Sequence, residues 1–310
     1  MHYEKIYPYE NRKDVSLTVY ALDESREMPG SKSRGSVIVC PGGAYLGCSD
    51  REGEPVAMAF AAMGYHAFVL RYSVYNEGKG LNFAALPNPL PVKPHCIFPN
   101  PMRDIGKAML LIRSRAAEWN IDTDKIAICG FSAGGHNCAM YSVYWDKPVM
   151  TEHFAVDAES LRPAACIMGY PLTDYVLMKE SILRASAEGR PISENLFRAA
   201  NVAFTGVPTP PDDMLHKISP ARLIGKQMPP AFLWHTFEDS LVSVQQATAM
   251  ANGLAEHNIP FEMHIFEKGP HGVSLATQAS VGTAEHLDND AAKWIELCGE
   301  WLRKRFALKY

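Results

Sequence analysis

Residues 125–136, Lys-Ile-Ala-Ile-Cys-Gly-Phe-Ser-Ala-Gly-Gly-His, narrow the choice of fold more than any other stretch of the chain. An apolar run from Ile126 to Cys129 ends in G-x-S-x-G, and a helical pattern continues from Gly135 to about Trp145. The order reads as a nucleophile elbow. A serine on a sharp strand-to-helix turn needs glycine on both sides, because a Cβ at either position would strike crowded backbone, and Gly130 and Gly134 leave that room. Ser132 Oγ then stands exposed above a sheet, and the N–H of Ala133, at the start of the helix, points toward a developing oxyanion. The plain alternative is a glycine-rich turn that happens to hold a serine; the strand before it and the helix after it favour the elbow.

The rest of the chain supplies the alternation that such an elbow requires. Residues 14–22 alternate through Val15, Leu17, Val19 and Ala21, which predicts a half-exposed strand in an edge hairpin behind a polar N-terminal arm. Gly35 to Cys40 is a continuous apolar run suited to a strand buried on both faces, and it stops at Pro41-Gly42-Gly43-Ala44-Tyr45. Helical spacing over 52–63 and a buried strand over His66–Tyr72 complete a β-α-β unit, hence a parallel sheet. Residues 76–101 carry Pro87, Pro89, Pro91, Pro94, Pro99 and Pro101, which predicts a long ordered loop before a helix over Asp104–Trp119. A strand over Pro163–Tyr170 precedes a polar, proline-punctuated insertion, 175–225, over the functional edge of the sheet. Strands over Ala231–His235 and Phe261–Phe266, a helix over Ser243–His257 and a last helix over Asp288–Arg305 close the pattern. The whole reads as one domain over 1–310 with two inserted segments.

A serine hydroxyl becomes a useful nucleophile when a neutral imidazole takes its proton, and that imidazole needs a carboxylate to fix its tautomer. The two partners are expected after the serine, acid first. Thr236-Phe237-Glu238-Asp239-Ser240 follows one strand, and Glu267-Lys268-Gly269-Pro270-His271-Gly272 follows the next. Ser132, Asp239 and His271 therefore fall at three strand ends on one edge of the sheet, where open α/β sheets place their sites. Glu238 is the alternative acid. Among the other histidines, His264 lies inside a strand pattern, His235 precedes the acid, and His286 lacks glycine flanks. Asp239-x-x-Val242 gives the loop an apolar anchor that would turn the aspartate inward. A second oxyanion donor is expected from the loop after the first buried strand, at the N–H of Gly43 or Ala44. Tyr45, Phe131, Phe83 and Phe98 are candidate substrate-binding aromatics; the aromatics of the insertions, Phe83, Phe98, Tyr175, Phe197 and Phe204, read equally as local core.

A net charge of −4 over 310 residues gives no electrostatic reason to expect nucleic acid. No apolar run is long enough to span a bilayer, and the polar start lacks the apolar core of a signal peptide, so a protein that is cytoplasmic, or already processed, and without a membrane partner is expected. Seven cysteines without C-x-x-C spacing read as buried free thiols rather than disulfides or zinc ligands, and no metal or other cofactor is called for.

The segments PGGAY, DREGEPVA, AEWNID, GFSAGGH, FLWHTFEDSLVSV and KGPHGVSLA stand in the order seen in α/β-hydrolases of the carbohydrate esterase type. From about residue 35 to 305 the chain resembles the bacterial acetyl xylan esterase-like branch, near the hormone-sensitive-lipase-like esterases and farther from prolyl-oligopeptidase-type peptidases. The oxyanion segment lacks the histidine and third glycine of HGGG. The resemblance implies an α/β-hydrolase fold, a mostly parallel sheet with helices on both faces, and a serine esterase with Ser132, Asp239 and His271 as its triad. It also implies a small ester or acetylated oligosaccharide as substrate, and the polar insertions are expected to offer little apolar surface for a fatty chain. A feruloyl or general short-chain esterase, a peptidase with the same triad, or a silent binding protein are the other readings. The peptidase reading fits less well, since few residues precede the first strand. A homodimer is left open.

Overall fold

The computed structural model describes residues 1–78, 87, 89–189, 194–287 and 290–306. Among them, eight strands build one sheet: β1 His2–Ile6, β2 Ser16–Ala21, β3 Arg34–Cys40, β4 His66–Arg71, β5 Ile121–Phe131, β6 Ala165–Gly169, β7 Ala231–Thr236 and β8 Phe261–Phe266. Their spatial order is β1-β2-β4-β3-β5-β6-β7-β8. β1 and β2 pair antiparallel, as do β2 and β4, and every pair from β4 to β8 is parallel. The α-helices are α1 Glu54–Ala62, α2 Asn100–Ser114, α3 Ala116–Trp119, α4 Ala133–Tyr144, α5 Pro148–Phe154, α6 Tyr175–Ala187, α7 Glu194–Thr205, α8 Asp212–Lys217, α9 Gln245–Glu256 and α10 Trp294–Arg305.

The two-residue period of the strands divides the core into two layers. Ile38, Cys40, Phe68, Leu70, Ile126 and Ile128 face α2, α4 and α9, while Val37, Val39, Ala67, Val69, Ala127 and Cys129 face α1 and α10. A strand sandwiched in this way has no solvent face, so its sequence is apolar throughout. All seven cysteines are buried and free. No helix among the described residues is long and apolar enough to cross a membrane.

Several local expectations need correction. β2 is buried along its whole length rather than half-exposed, because β1 and β4 flank it and its second face is covered: the Tyr20 hydroxyl reaches Glu54 of α1 at 3.2 Å. The polar N-terminal arm is itself the edge strand β1, in register from His2 opposite Ala21 to Ile6 opposite Leu17. α2 starts at Asn100, not Asp104. Pro101 does not break it, since in the first turn the missing N–H has no partner to lose. β5 begins five residues earlier than its apolar run, at Ile121, and carries a register irregularity opposite Arg34 and Ser36. α5 was not expected from the sequence. The start of the last helix at Asp288 lies outside the described residues, as does Phe83.

Candidate active site

Ser132 sits between β5 and α4 at φ 51° and ψ −119°, a left-handed conformation that costs a non-glycine residue about 1–3 kcal/mol. Its neighbours explain why it is held there. A Cβ on Gly130 would lie 2.2 Å from the Gly134 carbonyl oxygen, and one on Gly134 would lie 2.1 Å from that of Cys40. The ends of β3 and β5 and the start of α4 are thus pressed backbone to backbone. The Ser132 N–H donates to the Gly169 carbonyl at 3.0 Å, and its carbonyl accepts the His136 N–H at 2.9 Å. The turn is fixed from both sides.

Asp239 and His271 come from the loops after β7 and β8. His271 Nε2 lies 2.8 Å from Ser132 Oγ, and Nδ1 lies 2.6 Å from Asp239 Oδ2. Asp239 Oδ1 accepts the N–H groups of Leu241 at 3.0 Å and Val242 at 2.8 Å. These two bonds turn the carboxylate inward, while the Val242 side chain is buried as the anchor. Burial alone pushes the Asp239 carboxyl up, but the His271 charge and the hydrogen bonds of His235 and His271 outweigh it and hold the group well below the usual carboxylate range. Burial likewise depresses His271, and Asp239 more than reverses this, so the imidazole sits above its ordinary 6.5. Glu238 faces solvent, bonded to Lys268 Nζ at 2.7 Å and the Gly269 N–H at 3.3 Å.

The loop after β3 lies directly over the serine. A Cβ on Gly42 would fall 2.6 Å from the Phe131 oxygen and 2.9 Å from Ser132 Cβ. Gly43, Ala44 and Tyr45 follow at φ 137°, 56° and 58°, three left-handed residues in succession, and the Gly43 carbonyl accepts the N–H of Leu46 at 2.9 Å. Among the described residues no acceptor meets the N–H of Gly43 or Ala44, and Ala133, as the first residue of α4, has no intrahelical acceptor for its own. These are the donors the sequence singled out.

The aromatic candidates fare differently. Phe131 is fully buried against Tyr170, Trp234 and Trp294. Strand periodicity places it with Ala127 and Cys129 in the core layer under α1 and α10, so it packs as core and presents no wall to a substrate. Tyr45 is 1% exposed, stacked on Phe204 at 4.1 Å, and its hydroxyl meets His136 Nδ1 at 2.6 Å. It belongs to the core as well. Phe98 packs against Tyr144 and Phe204, again as core. Tyr175 and Phe204 are also buried. Contrary to the expectation of polar insertions, α6, α7 and α8 enclose an apolar cleft of about 290 Å³, lined by Leu172, Tyr175, Met178, Ile182, Phe197 and Pro210 among others.

Three residues without a sequence signal surround the line from serine to aspartate. His235, fully buried, puts Nε2 2.8 Å from the Val242 oxygen and 3.3 Å from Asp239 Oδ2, which fixes its proton on Nε2. Glu52 accepts the Gly42 N–H at 2.7 Å and the Tyr170 hydroxyl at 2.6 Å. The Tyr170 ring meets the His271 ring edge-on at 5.1 Å. His136, with burial lowering its pKa to about 4, bridges Tyr45 and the Ile218 oxygen, and so joins the loop after β3 to the insertion. Among the described residues, no three His, Cys, Asp or Glu side chains are grouped to hold a metal ion. The arrangement can draw a proton from the serine hydroxyl onto His271 Nε2 and hold the resulting charge beside Asp239.

Comparison with known proteins follows the same lines. The chain is 32% identical over 243 residues to Endo-1,4-beta-xylanase B of Butyrivibrio fibrisolvens, covering 78% of this chain and 33% of that protein. The carboxylesterase Cest-2923 from Lactobacillus plantarum WCFS1 superposes with a TM-score of 0.77 at 26% identity, with 100% of each chain covered. The acetyl ester-xyloside bifunctional hydrolase from Caldicellulosiruptor lactoaceticus does so with a TM-score of 0.71 at 27% identity, covering 97% of this chain and 96% of that one. The chain spans between about a quarter and a half of the length of the curated relatives it matches. Its fold is that of the α/β-hydrolases. Residues 90–254 match the BD-FAE family model, and with more than half of its length in that match the chain belongs to the BD-FAE family of α/β-hydrolases.

Proposed function

We propose that this protein is a serine carboxylesterase that removes short acyl groups, acetyl above all, from acylated carbohydrates of the xylo-oligosaccharide kind. The observation that carries the reading is the continuous hydrogen-bonded line from Ser132 Oγ through His271 to Asp239. Ser132 attacks the ester carbonyl while His271 Nε2 takes its proton, and the carboxylate of Asp239 stabilises the imidazolium and keeps the remaining proton on Nδ1. The tetrahedral oxyanion is met by the N–H of Ala133 and that of Gly43 or Ala44, and one such donor is typically worth about 10²–10³ in rate. His271 then protonates the departing alcohol, and water, activated by the same imidazole, releases the acid from the acyl-enzyme. No step calls on a metal or other cofactor.

The carbohydrate half of the proposal is supported by the names of two relatives, a xylanase and an acetyl ester-xyloside hydrolase. The apolar cleft between α6, α7 and α8, which holds none of the three catalytic side chains but begins at Leu172, whose N–H donates to the Ser132 carbonyl at 3.5 Å, supports a second reading, an esterase for bulkier acyl groups such as feruloyl. A panel of acetylated xylo-oligosaccharides, feruloyl esters, p-nitrophenyl esters of rising chain length and aminoacyl amides decides between them by kcat/KM. The first reading predicts the acetylated sugars in front; highest turnover on feruloyl esters would replace it with the second, and preference for amides would overturn both.

A further inference from the structure

Glu52 is 3% exposed, and both of its oxygens are taken by neutral donors, the Gly42 N–H and the Tyr170 hydroxyl. A buried carboxylate held only by uncharged partners carries a desolvation cost that packing alone does not explain. Its contacts reach two of the strand-end loops directly and a third through Tyr170. Gly42 belongs to the loop after β3, beside the oxyanion donors, and Tyr170 follows β6. The Tyr170 hydroxyl accepts the Ser274 N–H at 3.0 Å, three residues beyond His271 in the loop after β8. Ser274 Oγ returns to the Arg51 carbonyl at 2.6 Å, and Arg51 Nη1 donates to the Gly272 carbonyl at 2.9 Å. The circuit closes on itself behind Ser132.

Resting on the serine-esterase reading of this site, we propose that Glu52 is its main positioning residue: the carboxylate sets the Gly42 peptide, and with it the neighbouring N–H groups, against Ser132, and through Tyr170 it holds the His271 loop while adding a second negative charge near the imidazole. The hydrogen bond to Gly42 fixes the plane of the peptide just before the proposed donors, so its loss turns those donors away from the oxyanion. The charge acts separately. Around His271, Asp239 and Glu52 favour the imidazolium, Arg51 opposes it, and Tyr170 and Ser132 complete the shell.

Two substitutions separate the effects. Glu52→Gln keeps the size and removes the charge; Glu52→Asp keeps the charge and shortens the reach to Gly42. Rates of p-nitrophenyl acetate hydrolysis across pH, with thermal midpoints as a folding control, read both. Glu52→Gln keeps a carbonyl for the Gly42 N–H, so its kcat at high pH should fall by less than about tenfold. The charge effect is read separately: the acid limb of its kcat/KM should move to lower pH. Glu52→Asp should lower kcat roughly 10- to 100-fold with KM within about twofold, since a misplaced donor loses part of what a missing one loses, while the limb stays in place. If Glu52→Gln does not fold, Tyr170→Phe carries the test, with kcat expected to fall about three- to tenfold at nearly unchanged KM. Unchanged kcat in Glu52→Asp and an unmoved limb in Glu52→Gln overturn the inference. Ser132→Ala run beside them keeps the two claims apart: activity retained there defeats the serine reading, whereas an inactive Ser132→Ala with indifferent Glu52 variants defeats only the role of Glu52.

Discussion

Asp239→Asn should remove nearly all turnover, and the hydrogen bonds around the side chain dictate how. Asp239 Oδ1 is bound by two N–H donors, Leu241 at 3.0 Å and Val242 at 2.8 Å, so the asparagine carbonyl must take that place. The opposite rotamer would set the amide nitrogen against both donors and leave two buried N–H groups unpaired, at about 1–3 kcal/mol each. The amide nitrogen therefore lies where Oδ2 now stands, 2.6 Å from His271 Nδ1. Because that nitrogen only donates, Nδ1 must give up its proton and Nε2 must carry one, pointing it at Ser132 Oγ. The imidazole then has no lone pair for the serine proton. A tautomer fixed the wrong way costs serine hydrolases about 10⁴ in kcat, near 5 kcal/mol of barrier. Saturation kinetics with p-nitrophenyl acetate, with the thermal midpoint as control, measure it. Glu238→Gln, altering an exposed carboxylate paired with Lys268, should stay within about twofold. Asp239→Asn keeping more than about a tenth of kcat, or the larger loss falling on Glu238→Gln, would refute the reasoning.

Three further outcomes follow from the geometry. In Gly134→Ala the new Cβ would sit 2.1 Å from the Cys40 oxygen and 2.5 Å from that of Pro41, so the variant should lose at least about 3 kcal/mol, and an unchanged thermal midpoint would contradict the packing of the elbow. Because His271 must be neutral to act as base and its pKa is raised, kcat/KM should decline toward acid with a midpoint above the ordinary 6.5; a midpoint below it would remove Asp239 as the dominant neighbour. Burial brings the pKa of His66 and of His136 down from 6.5 to about 4, so in that window the unfolded chain takes up protons that the folded one refuses. Stability is full above 6.5 and should fall by up to about 3 kcal/mol for each residue as pH drops toward 4, whereas the opposite contribution of His271 is already complete below 6.5. Urea midpoints that stay level from pH 7 to 4.5 would count against it.

The positions of Ser132, Asp239 and His271 were legible because each lies just past an apolar run of strand length, and because glycines flank the serine and the histidine. Such signals are local. Glu52 had none: in Asp50-Arg51-Glu52-Gly53-Glu54 nothing separates the buried carboxylate from Glu54, whose partner is a tyrosine of β2. Its burial is created by Gly42 and Tyr170, 10 and 118 residues away in sequence. His235 precedes the acid in the chain, which speaks against it as the base, yet a strand end and its own loop bring it to the second side of Asp239. For Phe131 the signal is in the sequence, since the two-residue period from Ala127 and Cys129 already places it in the buried layer under α1 and α10. β1 carries little sequence signal because an edge strand with one covered neighbour needs few apolar residues, and His2–Ile6 has few.

The central claim, covalent catalysis on Ser132, is tested most directly by rapid-quench mass spectrometry during turnover of p-nitrophenyl acetate. A single acetyl adduct should accumulate before steady state, map to the peptide that holds Ser132, and be absent from Ser132→Ala, which should also be inactive. Unimpaired turnover by Ser132→Ala, or an adduct on any other residue, would contradict the account.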